Sequence, residues 1–328
     1  MGIMDLDRID RKILAELDRN ARQPVSEIAR KLHLGRDIVV YRLDRLFREE
    51  VISKTVVFID PSRLGLSLYK TYLKLGADTQ KTQRLIKHLL NDSRIYWLAE
   101  SYGSWDLFFS VFARSAKDFD EIQNDVFEKF YDMIHEFTVA EVVELWGFPR
   151  RYFIESASHI FHYGAVAETY KLDELEAKIL IALGQDARVS VNALAERFNV
   201  SPHLIRGRIS RMEQEKVIIQ YSPQLNLDKL GYSVFKAQIY LKSFAPKLEE
   251  KVLAFCKRNP NIIYMIRQLN ECKLELEFEA ESYNHFNSLL GDMYEKLGSL
   301  IQRVNHCIIH RDYHHRIPSS IIPQKVGV

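Results

Sequence analysis

The chain has 328 residues, of which 47% are hydrophobic, and its formal net charge is only +2. On a prior of about 150 residues per domain, this length predicts roughly two to four domains. The small net charge excludes an overall excess of basic residues, so any contact with DNA requires a local basic patch. The apolar runs are shorter than a membrane-spanning helix and no charged-then-apolar leader opens the sequence, so we expect a cytoplasmic protein without membrane contact.

The sequence contains two copies of one unit. Residues 6–75 align without a gap on residues 172–241, so that residue n corresponds to residue n + 166. A repeat of this length exceeds a solenoid module of about 20 to 50 residues, so each copy is expected to hold its own core. We therefore predict a covalent pseudo-dimer, whose halves pair with each other or with a second chain. Matching positions include Ala21-Arg22 with Ala187-Arg188, Arg42 with Arg208, and Val51-Ile52 with Val217-Ile218.

Each copy begins with a predicted helix-turn-helix. In the first copy, apolar residues at helical spacing follow Asp7, which can cap a helix, and the pattern stops before Pro24. A second helix opens at Ser26, and a third runs over about residues 36–50 after a tight turn. The β-branched segment 51–58 then predicts a wing strand.

In the second copy, the third helix has a strong local start signal. Ser201 is a favourable N-cap, and Pro202 occupies the first helical position, where its missing N–H costs nothing.

The remainder of each copy has the order strand, helix, strand, strand, helix, strand, which is typical of a ferredoxin-like βαββαβ unit. The fold class is therefore predicted as α+β. We predict winged helix-turn-helix domains at 1–60 and 171–226, ferredoxin-like domains at 61–150 and 227–328, and a packed aromatic connector at 151–170.

This duplicated arrangement resembles the Lrp/AsnC family of transcription regulators. The resemblance covers nearly the whole chain, twice, and implies sequence-specific binding to double-stranded DNA. It also implies pairing through the βαββαβ domains and a small effector, often an amino acid, near a Gly-x-x-Asp turn; no cofactor is implied. The residues that carry it are Leu6-Asp7, Asp10-Arg11-Lys12-Ile13-Leu14, Tyr41-Arg42-Leu43, Arg45-Leu46, Val51-Ile52, Leu64-Gly65 and Gly103-Ser104-Trp105-Asp106.

The two predicted recognition helices differ. DNA contact requires Lys or Arg near phosphates and side chains that reach base edges from one helix face. Asp37 and Asp44 would face the negatively charged DNA, which predicts that the first recognition helix binds DNA more weakly than the second. The alternatives are that these carboxylates accept hydrogen bonds from cytosine or orient neighbouring arginines. A structural ion pair is the alternative role for Arg42 and Arg208, and a pure interaction module is the alternative to DNA binding. The candidate DNA contacts are Arg36, Tyr41, Arg42, Arg45 and Arg48 in the first copy, and Ser201, His203, Arg206, Arg208 and Arg211 in the second.

The Gly-x-x-Asp turn has two interpretations. Glycine permits positive φ and aspartate can cap free amides, which is ordinary turn chemistry. In the functional interpretation, Gly103, Ser104 and Asp106 hold the ammonium group of an effector. The second copy has Asn270-Glu271-Cys272-Lys273 at this place, so only the first turn follows the family pattern.

Histidines near the end of the chain raise the question of a metal site. In a predicted strand, His306 and His310 would lie about 13 Å apart, too far to share an ion. We predict a solvated basic tail and no metal. The histidines are His306, His310, His314 and His315.

Sirohaem decarboxylases are the alternative from another class, because they are built on the same winged-helix plus βαββαβ unit. They need His and Arg for substrate carboxylates and a Trp-Pro-Tyr-rich strand. This chain instead has Ile95-Tyr96-Trp97-Leu98-Ala99-Glu100 and the regulator-like turn. No catalytic triad or phosphate loop is visible in the sequence, and we expect no enzymatic activity.

Overall fold

The computed structural model describes residues 3–164, 168–242, 246–318 and 321–322. The first copy comprises α1 (Arg8–Arg19), α2 (Val25–Leu32), α3 (Arg36–Arg48), β1 (Ile52–Ile59), β2 (Ser67–Leu75), α4 (Thr79–Asn91), β3 (Ile95–Gly103), β4 (Leu107–Ala113), α5 (Ala116–Phe130) and β5 (Ile134–Gly147). The connector contains β6 (Phe161–Tyr163). The second copy comprises α6 (Glu174–Gln185), α7 (Val191–Phe198), α8 (Pro202–Gln214), β7 (Ile218–Leu225), α9 (Leu227–Leu230), β8 (Ser233–Leu241), α10 (Pro246–Cys256), β9 (Ile262–Leu269), β10 (Leu274–Ala280), α11 (Tyr283–Leu297) and β11 (Ile301–His315).

The helix starts follow local capping chemistry. The side chain of Asp7 accepts from the N–H groups of Ile9 and Asp10 and caps α1, and Ser201 Oγ accepts from Leu204 N at 3.2 Å and caps α8. The predicted start of α2 at Ser26 is wrong. That helix begins at Val25, directly after a proline whose fixed φ suits the entry to a helix.

Each helix-turn-helix closes over a small apolar core. In the first, the side chains of Leu14, Ile28, Val39 and Leu46 are fully buried. The second repeats this arrangement with equivalent residues from α6, α7 and α8. The packing fixes which face of α3 and α8 points outward, because β-branched and leucine side chains at i, i+4 and i+7 occupy the inner face.

The two predicted wing strands form one shared ribbon. Strands β1 and β7 pair antiparallel, with Val56 opposite Ser222. These two residues are equivalents in the repeat, so a pseudo-twofold axis passes between them. The predicted wing strand is confirmed. Its partner lies about 170 residues away in the other copy, and local sequence cannot indicate such a pairing.

The βαββαβ units form a closed ring of strands. Their sheets have the orders β5-β2-β4-β3 and β11-β8-β10-β9, and they join at both edges because β3 pairs with β11 and β5 with β9. Helices α4 and α5 pack on the outside of the first sheet, and α10 and α11 on the second. This confirms the α+β class with ferredoxin-like units and places the pairing of the two halves within one chain. None of the helices in the described ranges is long and apolar enough to cross a bilayer.

A buried polar cluster joins the two sheets inside the ring. Glu275 of β10 bonds Lys70 Nζ of β2 at 2.6 Å and Lys236 Nζ of β8 at 3.0 Å. It also accepts from the hydroxyl of Tyr72 at 3.0 Å. All four side chains are buried. Burial alone would raise the pKa of Glu275, but the two ammonium groups outweigh it and lower that pKa to about 2.

The prediction of a basic tail is wrong, because the segment is a paired strand, although His310 is exposed as expected. Strand β11 continues to His315 and pairs with β3 of the other half, and the Arg316 guanidinium donates to the carbonyl of Ile95 at 2.9 Å. The edge of β3 would otherwise be unpaired, and unpaired strand edges favour pairing with another strand. The side chains of His314 and His315 lie outside the described residues. Elsewhere in the described chain, no group of three or more His, Cys, Asp or Glu could hold a metal ion.

Candidate nucleic-acid interface

Recognition helix α3 presents fewer free cations than its sequence suggests. Arg36, Tyr41 and Arg48 are exposed, and Tyr41 is 61% exposed. Arg42 instead bonds Asp10 at 3.1 Å, and Arg45 also bonds Asp10, whose carboxylate is fully buried. A buried carboxylate requires such partners, since an unpaired one would be strongly destabilising.

Recognition helix α8 keeps an unengaged cation at its centre. Arg206 and His203 are exposed and have no hydrogen-bond or ion-pair partner within the described part of the chain. Arg208, the equivalent of Arg42, bonds Asp173 at 2.8 Å and the buried Glu176 at 3.3 Å. Arg211 is exposed at its surface but lies over the ring of Tyr170, 5.2 Å from the centroid.

The predicted DNA contacts therefore separate into exposed side chains, which can reach DNA, and side chains that are engaged within their own module. Arg42, Arg45 and Arg208 tie each recognition helix to the first helix of its own module. Their guanidinium groups are only partly exposed, which fits the structural alternative raised by the sequence. The hydrogen bond from the Asp10 amide, together with Arg42, lowers the pKa of Asp7 and keeps its carboxylate charged. Ser201 has its hydroxyl engaged as the N-cap of α8.

Two arginines that the sequence analysis did not assign hold the modules together. Arg22 Nη1 donates to the carbonyls of Ala187 and Val189, the latter at 2.8 Å. Arg188 Nη1 donates to the carbonyls of Ala21 at 2.6 Å and Gln23 at 3.3 Å. Arg22 and Arg188 are equivalents, so the contact occurs twice about the pseudo-twofold axis. The sequence signal was that the same residue type, arginine, occurs at this position in both copies. Its role became clear only once the structure showed how the two halves pair.

The Gly-x-x-Asp turn packs against the other half. Gly103 has a φ of +123°, and a Cβ there would lie 2.7 Å from the carbonyl oxygen of His306. Ser104 Oγ donates to that same carbonyl at 3.1 Å, and Trp105 donates to Gln238 at 2.9 Å. The Gly is thus required by both backbone conformation and close approach.

The carboxylate of Asp106 is engaged but partly exposed. One oxygen accepts from Lys74 Nζ at 2.9 Å and the other from the backbone N–H of Leu75 at 2.8 Å. The side chains of Lys74 and Asp106 are 38% and 30% exposed, so this ion pair faces solvent and can open. In the second copy, Asn270 occupies the place of Gly103 and donates to the carbonyl of Val139 at 2.8 Å.

A cavity of about 140 Å³ lies between the β1–β7 ribbon and the inner face of the ring. Both cations in its wall are already paired. Lys70 bonds Glu275, while Arg150 bonds Asp18 at 2.6 Å and Glu279 at 2.8 Å. Free positive charge is therefore absent from the described part of this wall. The charged lining residues are Lys70, Arg150, Glu277, Glu279 and Asp312.

Two helix-turn-helix modules with exposed recognition helices are carried on paired ferredoxin-like units, an arrangement that suits a DNA-binding regulator. The AsnC-type helix-turn-helix domain matches residues 6–46 and 172–213. An uncharacterised HTH-type transcriptional regulator of Pyrococcus abyssi is 30% identical over 151 residues, which cover 45% of this chain and 93% of that protein. HTH-type transcriptional regulator Ptr1 of Methanocaldococcus jannaschii is 30% identical over 130 residues, covering 40% of this chain and 85% of that protein.

The chain belongs to the Lrp/AsnC family of helix-turn-helix transcription regulators, in a tandemly duplicated form. Each relative covers less than half of this chain, which is the relation expected between one copy of the unit and two. Over its whole length, the fold is similar to the crystal structure of the siroheme decarboxylase NirDL, with a TM-score of 0.63, 13% identity, and coverage of 95% of this chain and 94% of that one. At this identity the likeness concerns the fold alone.

Proposed function

We propose that this regulator recognises its operator mainly through α8, with α3 as the weaker recognition helix. The observation that carries the proposal is Arg206, an exposed arginine without an intramolecular partner among the described residues. An unengaged guanidinium can donate two hydrogen bonds to a guanine edge in the major groove. The exposed face of α3 instead combines Arg36 with Asp37 and Asp44, and those carboxylates oppose the approach of phosphates.

Selection of bound sequences from random duplex DNA provides the operator on which to test this. Arg206→Ala should then weaken specific binding by about 1–3 kcal/mol, which is roughly 5- to 150-fold. Arg84→Ala removes an exposed arginine from α4 and serves as the matched control. If both variants bind the selected operator as tightly as the wild-type protein, Arg206 does not contact bases.

We also propose that an amino acid binds at the Gly-x-x-Asp turn as the effector. Support comes from the family resemblance and from the partly exposed Lys74–Asp106 ion pair. The ammonium group of an amino acid would replace Lys74 on Asp106, and the released Lys74 would pair with the ligand carboxylate. Each charge then keeps an opposite partner.

A thermal-shift screen of the amino acids tests the effector proposal. One of them should raise the melting temperature of the wild-type protein, and Asp106→Ala should abolish that rise. Asp120→Asn, on the exposed face of α5, is the control for loss of one carboxylate. A rise that persists in Asp106→Ala, or no rise with any amino acid, rejects this site.

The proposed function includes no enzymatic activity. A tetrapyrrole with several carboxylates needs unpaired cations, whereas Lys70 and Arg150 in the cavity wall are paired. The fold likeness to NirDL nevertheless makes sirohaem chemistry the second candidate to test. Incubation with an iron tetrapyrrole should leave its absorbance spectrum unchanged; a shifted spectrum together with loss of carbon dioxide would reject the proposal.

A single chain is proposed to carry a complete pair of DNA-reading modules in the cytoplasm. Support for the location comes from the family and from three free, buried cysteines. Light scattering should give a mass of 38.5 kDa or a multiple of it. Operator binding that requires two chains at every concentration would contradict the complete-pair proposal.

A further inference from the structure

The two recognition helices expose an aliphatic side chain at the same place. Ile38 is the third residue of α3, and Leu204 is the third residue of α8. The two residues correspond in the repeat, and they are 46% and 38% exposed. Among the described residues, neither belongs to the apolar core of its own module. Packing within the protein therefore does not account for them.

The neighbouring exposed positions differ between the two helices. Asp37 in α3 corresponds to His203 in α8, and Tyr41 corresponds to Gly207; all four are exposed. The charge and the aromatic ring of α3 are thus both lost in α8, whereas the aliphatic pair consists of isomers of one size. A single exposed apolar side chain is ordinary on a protein surface. One that recurs on both recognition helices, beside neighbours that have changed, indicates a requirement that the two helices share.

The position of this pair along the helix suits contact with bases. In a helix-turn-helix, the residues near the N-terminus of the recognition helix enter the major groove and contact base edges. Val39 and Leu43 are buried and fix the inner face of α3, and Ile205 and Ile209 do the same for α8. The aliphatic pair precedes these buried residues directly, so each side chain lies at the leading end of its helix and outside the core.

Thymine is the base that an aliphatic side chain can select. It alone among the four bases of DNA carries a methyl group in the major groove. Contact between that methyl group and an aliphatic side chain removes apolar surface from water on both sides. Against a polar base edge, the same side chain would instead displace water from donors and acceptors without replacing their hydrogen bonds.

We propose that Ile38 and Leu204 each contact the C5-methyl group of a thymine and so select a T·A pair at one position of each half-site. This assignment rests on the proposed operator recognition and adds two residues that determine the sequence. The pseudo-twofold axis through the β1–β7 ribbon relates the two side chains. The two thymines should therefore lie on opposite strands at positions related by that axis, in an operator whose half-sites otherwise differ.

Deoxyuridine provides a probe for the methyl contact, because it lacks only the C5-methyl group of thymine and keeps the same hydrogen-bonding groups. Each thymine of the selected operator is replaced in turn, and the Kd of the full chain is measured by fluorescence anisotropy at one salt concentration. Two replacements, at positions related by the twofold axis, should each weaken binding about fourfold, the effect of one buried methyl group. The absence of such a pair of sensitive thymines overturns the proposal.

Two variants then assign each thymine to its helix. Ile38→Ala and Leu204→Ala should each lose the sensitivity to deoxyuridine in one half-site and keep it in the other. Ile160→Ala is the matched control, because Ile160 is a similarly exposed aliphatic residue, at 43%, in the connector. This control should keep both sensitivities. If Ile38→Ala or Leu204→Ala weakens binding equally on thymine and deoxyuridine DNA, that side chain does not contact the methyl group and the assignment fails.

Failure of the thymine contacts can be distinguished from failure of operator recognition. Arg206→Ala tests recognition on unmodified DNA. If Arg206→Ala weakens specific binding but no deoxyuridine replacement does, operator recognition stands and the thymine contacts are wrong. If selection from random duplex DNA yields no operator, both proposals are overturned.

Discussion

Glu275 should contribute more to stability than any exposed carboxylate, because it neutralises two buried ammonium groups from different strands. Its pKa is about 2 in the folded protein, against 4.5 for an ordinary glutamate. That difference corresponds to about 3 kcal/mol at neutral pH, at about 1.4 kcal/mol per pH unit. Glu275→Gln keeps the shape but leaves Lys70 and Lys236 without their shared carboxylate. We expect a loss of about 3–5 kcal/mol in the free energy of unfolding.

The assay is urea denaturation followed by far-ultraviolet circular dichroism. Glu271→Gln is the matched control, since its side chain is 84% exposed and its loss should change stability by less than about 0.5 kcal/mol. The pH dependence follows from the lowered pKa of Glu275. The stabilisation is complete above about pH 4.5 and is lost as the pH falls toward 2. A Glu275→Gln protein within 1 kcal/mol of wild type at pH 7 would refute the reasoning.

Two further predictions follow from single contacts. Gly103→Ala should destabilise the fold by about 1–3 kcal/mol, because Gly103 has a φ of +123° and an added Cβ would lie 2.7 Å from the His306 carbonyl oxygen. The control Gly291→Ala lies in open space on α11 and should not destabilise the fold, so a comparison of the melting temperatures of the two variants tests the prediction. The double variant Arg22→Ala, Arg188→Ala should leave each module folded yet speed amide hydrogen exchange in the β1–β7 ribbon, and unchanged exchange there would contradict their role in joining the modules.

Local sequence was sufficient to predict the helices and strands and their order along the chain. Capping at Asp7 and Ser201 and the change from helical to strand periodicity predicted most helices and strands, because these signals act within a few residues. The ring and the shared ribbon were not predictable in this way. Their pairings, such as Val56 with Ser222, join strands far apart in the chain, and only the duplication indicated that the halves pair at all.

The candidate site was predicted less completely than the fold. The sequence identified the recognition helices, but helical spacing could not show that Arg42 and Arg208 turn inward to buried carboxylates on the first helix of each module. It also could not indicate the cavity. Ile309 and Asp312 both line it across a shift in the register of β11, and such a shift has no sequence signature.

The operator provides the sharpest test of the duplicated architecture. A pseudo-twofold axis through the β1–β7 ribbon relates α3 to α8, so one chain should bind two inverted half-sites. If the two helices enter adjacent turns of the major groove, the half-sites should lie about 10 base pairs apart. A homodimer would present identical helices and select a palindrome, whereas these helices differ at equivalent positions.

The half-sites should therefore be unlike, and the operator should have a direction. Val40 in α3 corresponds to Arg206 in α8, and Asp44 corresponds to Ser210. In a footprint, Arg206→Ala should erase protection over one half-site only, because the other half-site is read by α3. A symmetric selected sequence, with protection lost on both sides in the same variant, would mean that two chains place their α8 helices on one operator, and would refute recognition by a single chain.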